Sequence, residues 1–339
     1  MKNKQLSVVP ACSDLTIIIP FLNEGEEIRN TVLSIRSTVT GNPCIMLIND
    51  ASTDGYDYGR IAEEESCVYI VNRKRKGVAA SRDLGIELCT TAYFLLLDGH
   101  MRFYEKGWDE RLIGLLRQHP ESILCGQTRK LEKDSDGNVV SLTHRTCYGA
   151  YIKMSEEGQF KADWCYVEPQ DAGDDSCVEI ACILGAAYAG SKEFWQRLHG
   201  LGGLLYYGCD EELLSTKVWC LGGSCLLVKD WVVGHIYRSS FPYEIPSRET
   251  YYNRLFVMEL FYPYEVKRRL FLNMRKHCGD VFEEAYGLLR KNYPFIKEEK
   301  AYWKSVAVRS VDDFVHKNLE LEHLCTIGSG CCKGGYKGQ

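Results

Sequence analysis

The sequence predicts an α/β protein: a doubly wound, mostly parallel sheet with flanking helices, followed by a helical C-terminal region. Three observations predict it. Continuous apolar runs of strand length recur through the N-terminal third, helical periodicity fills the gaps between them, and polar residues close each run.

Residues 15–22 (LTIIIPFL) read as a buried parallel strand closed by Asn23, Glu24 and Gly25. Ile28, Val32, Ile35 and Val39 then recur at helical spacing. A second buried strand, CIMLI (44–48), ends in Asn49 and Asp50, and VYIVN (68–72) is a short third. A helix is expected from Val78 to Leu88, and YFLLL (93–97) is a fourth buried strand ending in Asp98. The polar stretch 127–179 reads as loops or an inserted hairpin. A small-residue strand (183–190), a helix (SKEFWQRL), a glycine-rich loop (HGLGG), an amphipathic helix (210–221) and two short strands (224–228 and WVV) complete the region. The expected division is a main domain over 14–240, a helical extension over 241–322, and a disordered tail over 323–339. No internal repeat is visible.

Composition bounds the function. Hydrophobic residues make up 45% and charged residues 26% of 339, enough for a sizeable core. A net charge of -5 excludes a chain-wide nucleic-acid footprint. The sixteen cysteines are scattered without paired C-x2-C spacing, so they read as small apolar fillers in a reducing compartment rather than as a disulfide or zinc framework. The N-terminal residues show no apolar signal core, and no run reaches the ~18 apolar residues of a membrane span. The expectation is a cytoplasmic protein, peripheral at the inner face of the membrane if segment 262–276, basic and aromatic, meets lipid instead of packing on the core.

Polar residues at the carboxyl ends of parallel strands are where open α/β sheets bind ligands. Asp98-Gly99-His100 places a carboxylate and an imidazole two residues apart after a buried strand, a pairing suited to a borderline metal such as manganese. His235 follows a short strand, with Arg238 three residues on. Together these offer a ligand set for a metal carrying phosphates, with Arg238 to grip a diphosphate. Capping and surface roles would explain each residue taken singly. The run Tyr207-Gly208-Cys209-Asp210-Glu211-Glu212 opens a helix with three acids, either as a favourable helix terminus or as a catalytic carboxylate.

The ordered blocks TIIIPFLNE, INDASTDG, NRKRKGVAASRDLG and FLLLDGHMRF resemble the nucleotide-binding half of family 2 glycosyltransferases, which have the GT-A fold. DGH, GLLYYGCDEELLSTKVWCLGG and VVGHIYR resemble the polypeptide N-acetylgalactosaminyltransferases in particular. The resemblance spans roughly residues 14–260 and implies roles. Pro20, Asn23 and Glu24 would line a uridine pocket, Asp50 would bind uracil or ribose, and Arg82 would reach the nucleotide or diphosphate. Asp98, His100 and His235 would ligate Mn2+ or Mg2+, with Asp98 and Arg238 close to the phosphates of a UDP-sugar donor.

Where the peptide-modifying enzymes carry Trp-Gly-Gly-Glu-Asn, this chain has Tyr207 to Glu211. That acidic pair favours an inverting reaction in which Asp210, with Glu211 in reserve, deprotonates a hydroxyl acceptor on a glycan, lipid-linked glycan or protein. The alternative is a retaining, N-acetylgalactosaminyltransferase-like enzyme acting on a protein. A silent nucleotide-sugar-binding protein is a further rival. A nucleotidyltransferase is disfavoured because Phe21 to Glu27 is acidic where a phosphate loop should be basic.

Overall fold

The computed structural model describes residues 13–154, 159–168, 176–238 and 240–329. Strands and helices alternate first: β1 (Leu15–Phe21), α1 (Glu27–Thr38), β2 (Cys44–Asn49), α2 (Tyr58–Glu64), β3 (Val68–Val71), α3 (Val78–Leu88) and β4 (Tyr93–Leu97). The middle of the chain is mostly strand: β5 (Met101–Phe103), α4 (Trp108–Gln118), β6 (Ser122–Lys133), β7 (Val139–Cys147), β8 (Ala150–Lys153), β9 (Lys161–Trp164), β10 (Cys177–Ile180) and β11 (Ala187–Ser191). Then come α5 (Lys192–Arg197), α6 (Asp210–Cys220), β12 (Ser224–Ile236), α7 (Ser247–Phe261), α8 (Tyr264–Lys291), α9 (Tyr293–Val306) and α10 (Val311–Ser329).

The main sheet runs β10-β12-β6-β11-β4-β1-β2-β3, with β5 paired to β12 and β7 to β6. From β4 to β3 every pairing is parallel, as the buried apolar runs predict. Beyond β4 the sheet is mixed: β11 is antiparallel to both β4 and β6, while β12 is parallel to β6. The N-terminal half is therefore the doubly wound part. The polar stretch after residue 127 contains the expected hairpin, β6 and β7, closed by the turn in which Asp134 accepts from the backbone of Asp136 and Asn138. Segments 224–228 and 231–233 are one strand, interrupted by a bulge between Val228 and Val232.

Side chains alternate across β1, so the sheet has two apolar faces. Ile17 and Ile19 pack with Ile28 and Val32 of α1 and Leu112 and Leu116 of α4. Ile18 faces the other way, into a cluster that includes Ile86 of α3, Leu213 of α6, Phe256 of α7, Met274 of α8 and Trp303 of α9. The sheet and the C-terminal helices thus share one core. Residues 323–329 continue α10, and the Gly/Cys tail from residue 330 on lies outside the described residues. No helix of the described residues is long and apolar enough to cross a membrane.

One expectation is corrected. The cysteine spacing argues against any bridge, yet Cys165, just after β9, is joined to Cys325 in α10, 160 residues away. Local spacing registers only neighbours in sequence, whereas the fold lays α10 along β8, where Asn318 bonds both the N–H and the carbonyl of Ile152. Cys125, Cys182 and Cys225 are buried thiols among apolar side chains, as fillers should be.

Gly77 fixes the joint between the parallel half and the loop before α6. It has φ +95°, and Val78 N donates to Tyr206 O at 2.8 Å. A Cβ at Gly77 would collide with the backbone of Tyr206. Gly77→Ala should therefore lower unfolding stability by roughly 3 kcal/mol, through both the clash and the left-handed φ. Chemical denaturation measures this; a change below ~0.5 kcal/mol would refute the close approach.

Candidate active site

The site forms where β1, β4, β5 and β12 end together. His235 stands opposite Met101 in the β12–β5 pairing, and Ile236 N donates to His100 O at 3.2 Å. Asp98 leaves β4 with its N–H bonded to Ala186 O at 3.1 Å. The outcome is that ligand atoms of Asp98, His100 and His235 lie within 4.8 Å of one another.

The electrostatics suit a cation. Burial drives the His235 imidazole below its usual pKa, so the ring is neutral and able to donate a lone pair. Burial opposes ionisation of Asp98, but His235 and Arg82 outweigh it and hold the carboxyl down at about 2. His235 Nε2 lies 3.3 Å from Asp98 Oδ2, yet neither ring nitrogen makes a hydrogen bond, although both are buried. Buried imidazole nitrogens without partners are costly unless something else satisfies them. One carboxylate and two imidazoles converging on one point fit a borderline divalent ion.

Glu24 is the support for this cluster. Its Oε2 lies 3.2 Å from His100 Nδ1, which leaves His100 Nε2 as the nitrogen available for a metal. Arg238 forks onto the same carboxylate, with one contact of 3.1 Å and a second, shorter one. Burial works against the Glu24 charge, but His100 and Arg238 keep the carboxyl ionised, its pKa below the ordinary value.

Arg82 is the centre of the arrangement. Its buried guanidinium reaches Asp98 Oδ1 at 3.0 Å, Asp210 Oδ2 at 2.8 Å and Gly185 O at 3.1 Å, over the ring of Tyr188. Asp210 opens α6 directly after Cys209, whose φ of 70° turns the chain into the helix. Burial raises the pKa of all three acids at this terminus, more than Arg82 lowers that of Asp210. Glu211 is pushed up to about 8 by burial and by its neighbours Glu212 and Asp210. Glu212 is raised to about 7, chiefly by burial, and accepts a hydrogen bond from Ala162 N in β9.

A cavity of about 470 Å³ joins these groups, and its lining includes Pro20, Glu24, Asp50, Arg82, Asp98, His100, Asp210, Glu211, His235 and Arg238. The sequence-derived set is thus brought to one place, with one exception. Asn23 is outside the lining: its side chain accepts from Thr53 N at 2.8 Å and donates to Pro242 O. Asp50 is at the wall but committed to the protein, accepting from Asn72 Nδ2, Lys76 N and Gly77 N, each at 2.8 Å. Trp164, Gly185, Phe241, Tyr243 and Arg254 also line the cavity and carry no signal in sequence, because loops, a hairpin and helix α7 bring them in. Gly185 does have a reason: a Cβ there would strike the Glu211 carboxylate.

Folded-state pKa values raised above the ordinary carboxylate range mean that folding favours the protonated acids. The stabilising contribution is complete below about pH 4.5 and is lost as pH rises through about 7 for Glu212. Glu212→Gln should therefore gain on the wild type by on the order of 2 kcal/mol at about pH 8 and by little at about pH 4.5. Urea unfolding of the metal-free chain at both pH values reads this, and an equal effect at both would exclude it.

Comparison with known proteins agrees with this geometry. Residues 16–167 match the family described as Glycosyl transferase family 2. The human polypeptide N-acetylgalactosaminyltransferase 3 is 26% identical over 260 residues, covering 70% of this chain and 39% of that protein. The human polypeptide N-acetylgalactosaminyltransferase 10 is 28% identical over 242 residues, 68% of this chain and 39% of that protein. The chain thus spans about two fifths of the length of these curated relatives. Among solved structures, that of GalNAc-T7 with UDP, GalNAc and Mn2+ superposes with a TM-score of 0.71 at 20% identity, covering 90% of this chain and 57% of that one. The strands, the cavity at their carboxyl ends and these matches together give this chain the GT-A fold, with residues 16–167 similar to family 2 glycosyltransferases.

Proposed function

We propose that this chain is a metal-dependent glycosyltransferase that takes a sugar from a UDP-sugar and transfers it, with retention, to a hydroxyl of a protein or glycan. The observation that carries the reading is the convergence of Asp98, His100 and His235 in a cavity that the acidic start of α6 also lines. The curated relatives are polypeptide N-acetylgalactosaminyltransferases, which favours UDP-N-acetylgalactosamine as donor and a peptide hydroxyl as acceptor.

Asp98, His100 and His235 would hold the divalent ion, which when bound supplies positive charge to the departing diphosphate. Glu24 holds His100 in the tautomer that faces the ion. Arg82 keeps Asp98 ionised and oriented from behind. The acids support the retaining reading. Asp210 is bound to Arg82 and 3% exposed, so it does not offer a free carboxylate to an acceptor. Glu211, with a pKa of about 8, is protonated at neutral pH. Neither is placed as the general base that inversion requires; both fit better as groups that shape and orient.

Two experiments test this. Calorimetry should detect Mn2+ binding that His235→Ala abolishes and Glu24→Gln weakens roughly 10–100-fold, and excess chelator should stop donor turnover. Unchanged Mn2+ affinity in both variants would remove the metal from the reading. Separately, proton NMR of the product from an α-linked donor should show an α linkage, with Glu211→Gln losing less than ~10-fold in turnover. A β linkage, with a loss of roughly 10²–10⁴ in Glu211→Gln at intact UDP affinity, would establish inversion.

A further inference from the structure

Helix α8 carries a face that neither the fold nor the site accounts for. Its two halves meet at Gly279, where the backbone leaves helical geometry (φ 49°, ψ -122°). The half before the break holds Lys267, Arg268, Arg269, Arg275 and Lys276 against one acid, Glu265. The half after it begins with Asp280, Glu283 and Glu284. In a chain of net charge -5, this is a local reversal of sign.

At ~100° per residue, Tyr264, Arg275, Arg268, Leu272, Lys276 and Arg269 fall within an arc of about 140° on one side of the first half. All six are exposed, Tyr264 at 66% and Leu272 at 51%. Glu265 lies in the same arc, in the first turn, and leaves it strongly positive. The opposite side inserts Leu270 and Met274 into the core, which fixes the orientation of the helix. Lys267 on that inner side is spent on Glu259 at 2.7 Å, and Arg275 reaches across the break to Glu283 at 2.7 Å. Among the described residues, Arg268, Arg269 and Lys276 have no carboxylate partner.

We infer that this face docks the protein on the surface of an anionic lipid bilayer, lying parallel to the membrane plane. The chemistry favours lipid over an acidic protein because the cations are interleaved with an exposed tyrosine and leucine. Long basic side chains can reach the phosphates while the two apolar side chains enter the interface. The break at Gly279 ends the docking segment. Binding is peripheral and reversible, driven by charge and weakened by salt.

The test uses the full chain and sedimentation with phosphatidylcholine vesicles, with and without phosphatidylserine. The wild type should partition onto the anionic vesicles only and come off at high salt. The triple variant R268Q/R269Q/K276Q should partition about 100-fold less well, at about fivefold per charge. In a second measurement, Leu272→Trp should add an indole emission that moves to shorter wavelength with anionic vesicles and not with soluble polyglutamate. Three results would each overturn the inference: equal partitioning onto neutral vesicles, an unaffected triple variant, or an indole emission that vesicles leave unmoved while polyglutamate binds. Because none of these readouts involves donor, metal or turnover, the inference stands or falls apart from the proposed reaction.

Discussion

The buried guanidinium of Arg82 is the contact on which the site depends. A cation inside a protein is tolerated only when its donors are matched by charge and by acceptors. Arg82 meets that demand at its two terminal nitrogens, with Asp98 after β4, Asp210 at the start of α6 and the carbonyl of Gly185 before β11. Three segments distant in sequence are therefore held at one point by one side chain. Removing any partner leaves charge uncompensated in a dry environment, which ties the integrity of the metal cluster to that of α6. Arg82 comes from α3, whose first turn is set by the Gly77 contact with Tyr206, so the backbone of the glycine loop and the electrostatics of the site form one assembly.

A second layer of organisation works through carboxylates bonded to the protein's own groups. Asp50 gathers Asn72, Lys76 and Gly77, closing the loop between β3 and α3. Glu24 joins His100 to Arg238, linking the end of β1 to the segment after β12. Their sequence signature, an acid just past a buried strand, is the same as that of Asp98. This explains why strand-end acids read alike in sequence although Asp98 is the one that shares a candidate metal cluster with His100 and His235: position marks the ligand edge of the sheet, and the hydrogen-bond partners decide the role.

How much of this was legible follows from the range of each interaction. The parallel strands and the helices between them were readable because burial on both faces leaves continuous apolar runs, as in Ile17 to Ile19 and Leu95 to Leu97. The metal set was readable because Asp98 and His100 are neighbours, and His235 gains meaning from the family motif. Strand β6 was hidden, since its second half, TRKLEK, is mostly polar although β12 and β7 flank it on either side. The Cys165–Cys325 bridge and the cavity wall at Trp164 and Phe241 depend on the placement of a hairpin and a terminal helix. No periodicity encodes that placement; it emerges only when α10 packs on β8.

The acidic start of α6 shows why residue type alone misleads about mechanism. Asp-Glu-Glu at a helix N-terminus invites a base, since the dipole favours negative charge there. Burial reverses the inference. With Asp210 and Glu212 each 3% exposed and Glu211 between them, three negative charges would repel one another in a low-dielectric wall, so the chain retains protons on the group without a cation. Of these three acids only Asp210 forms a salt bridge among the described residues, with Arg82, while Arg254 acts on Glu212 from a greater distance. The salt bridge opposes the effect of burial on Asp210 and also occupies the oxygen a base would use. At this terminus Asp210 is engaged by Arg82 while Glu211 and Glu212 are held toward their protonated forms, and it is this division that the proposed transfer without an enzyme base rests on.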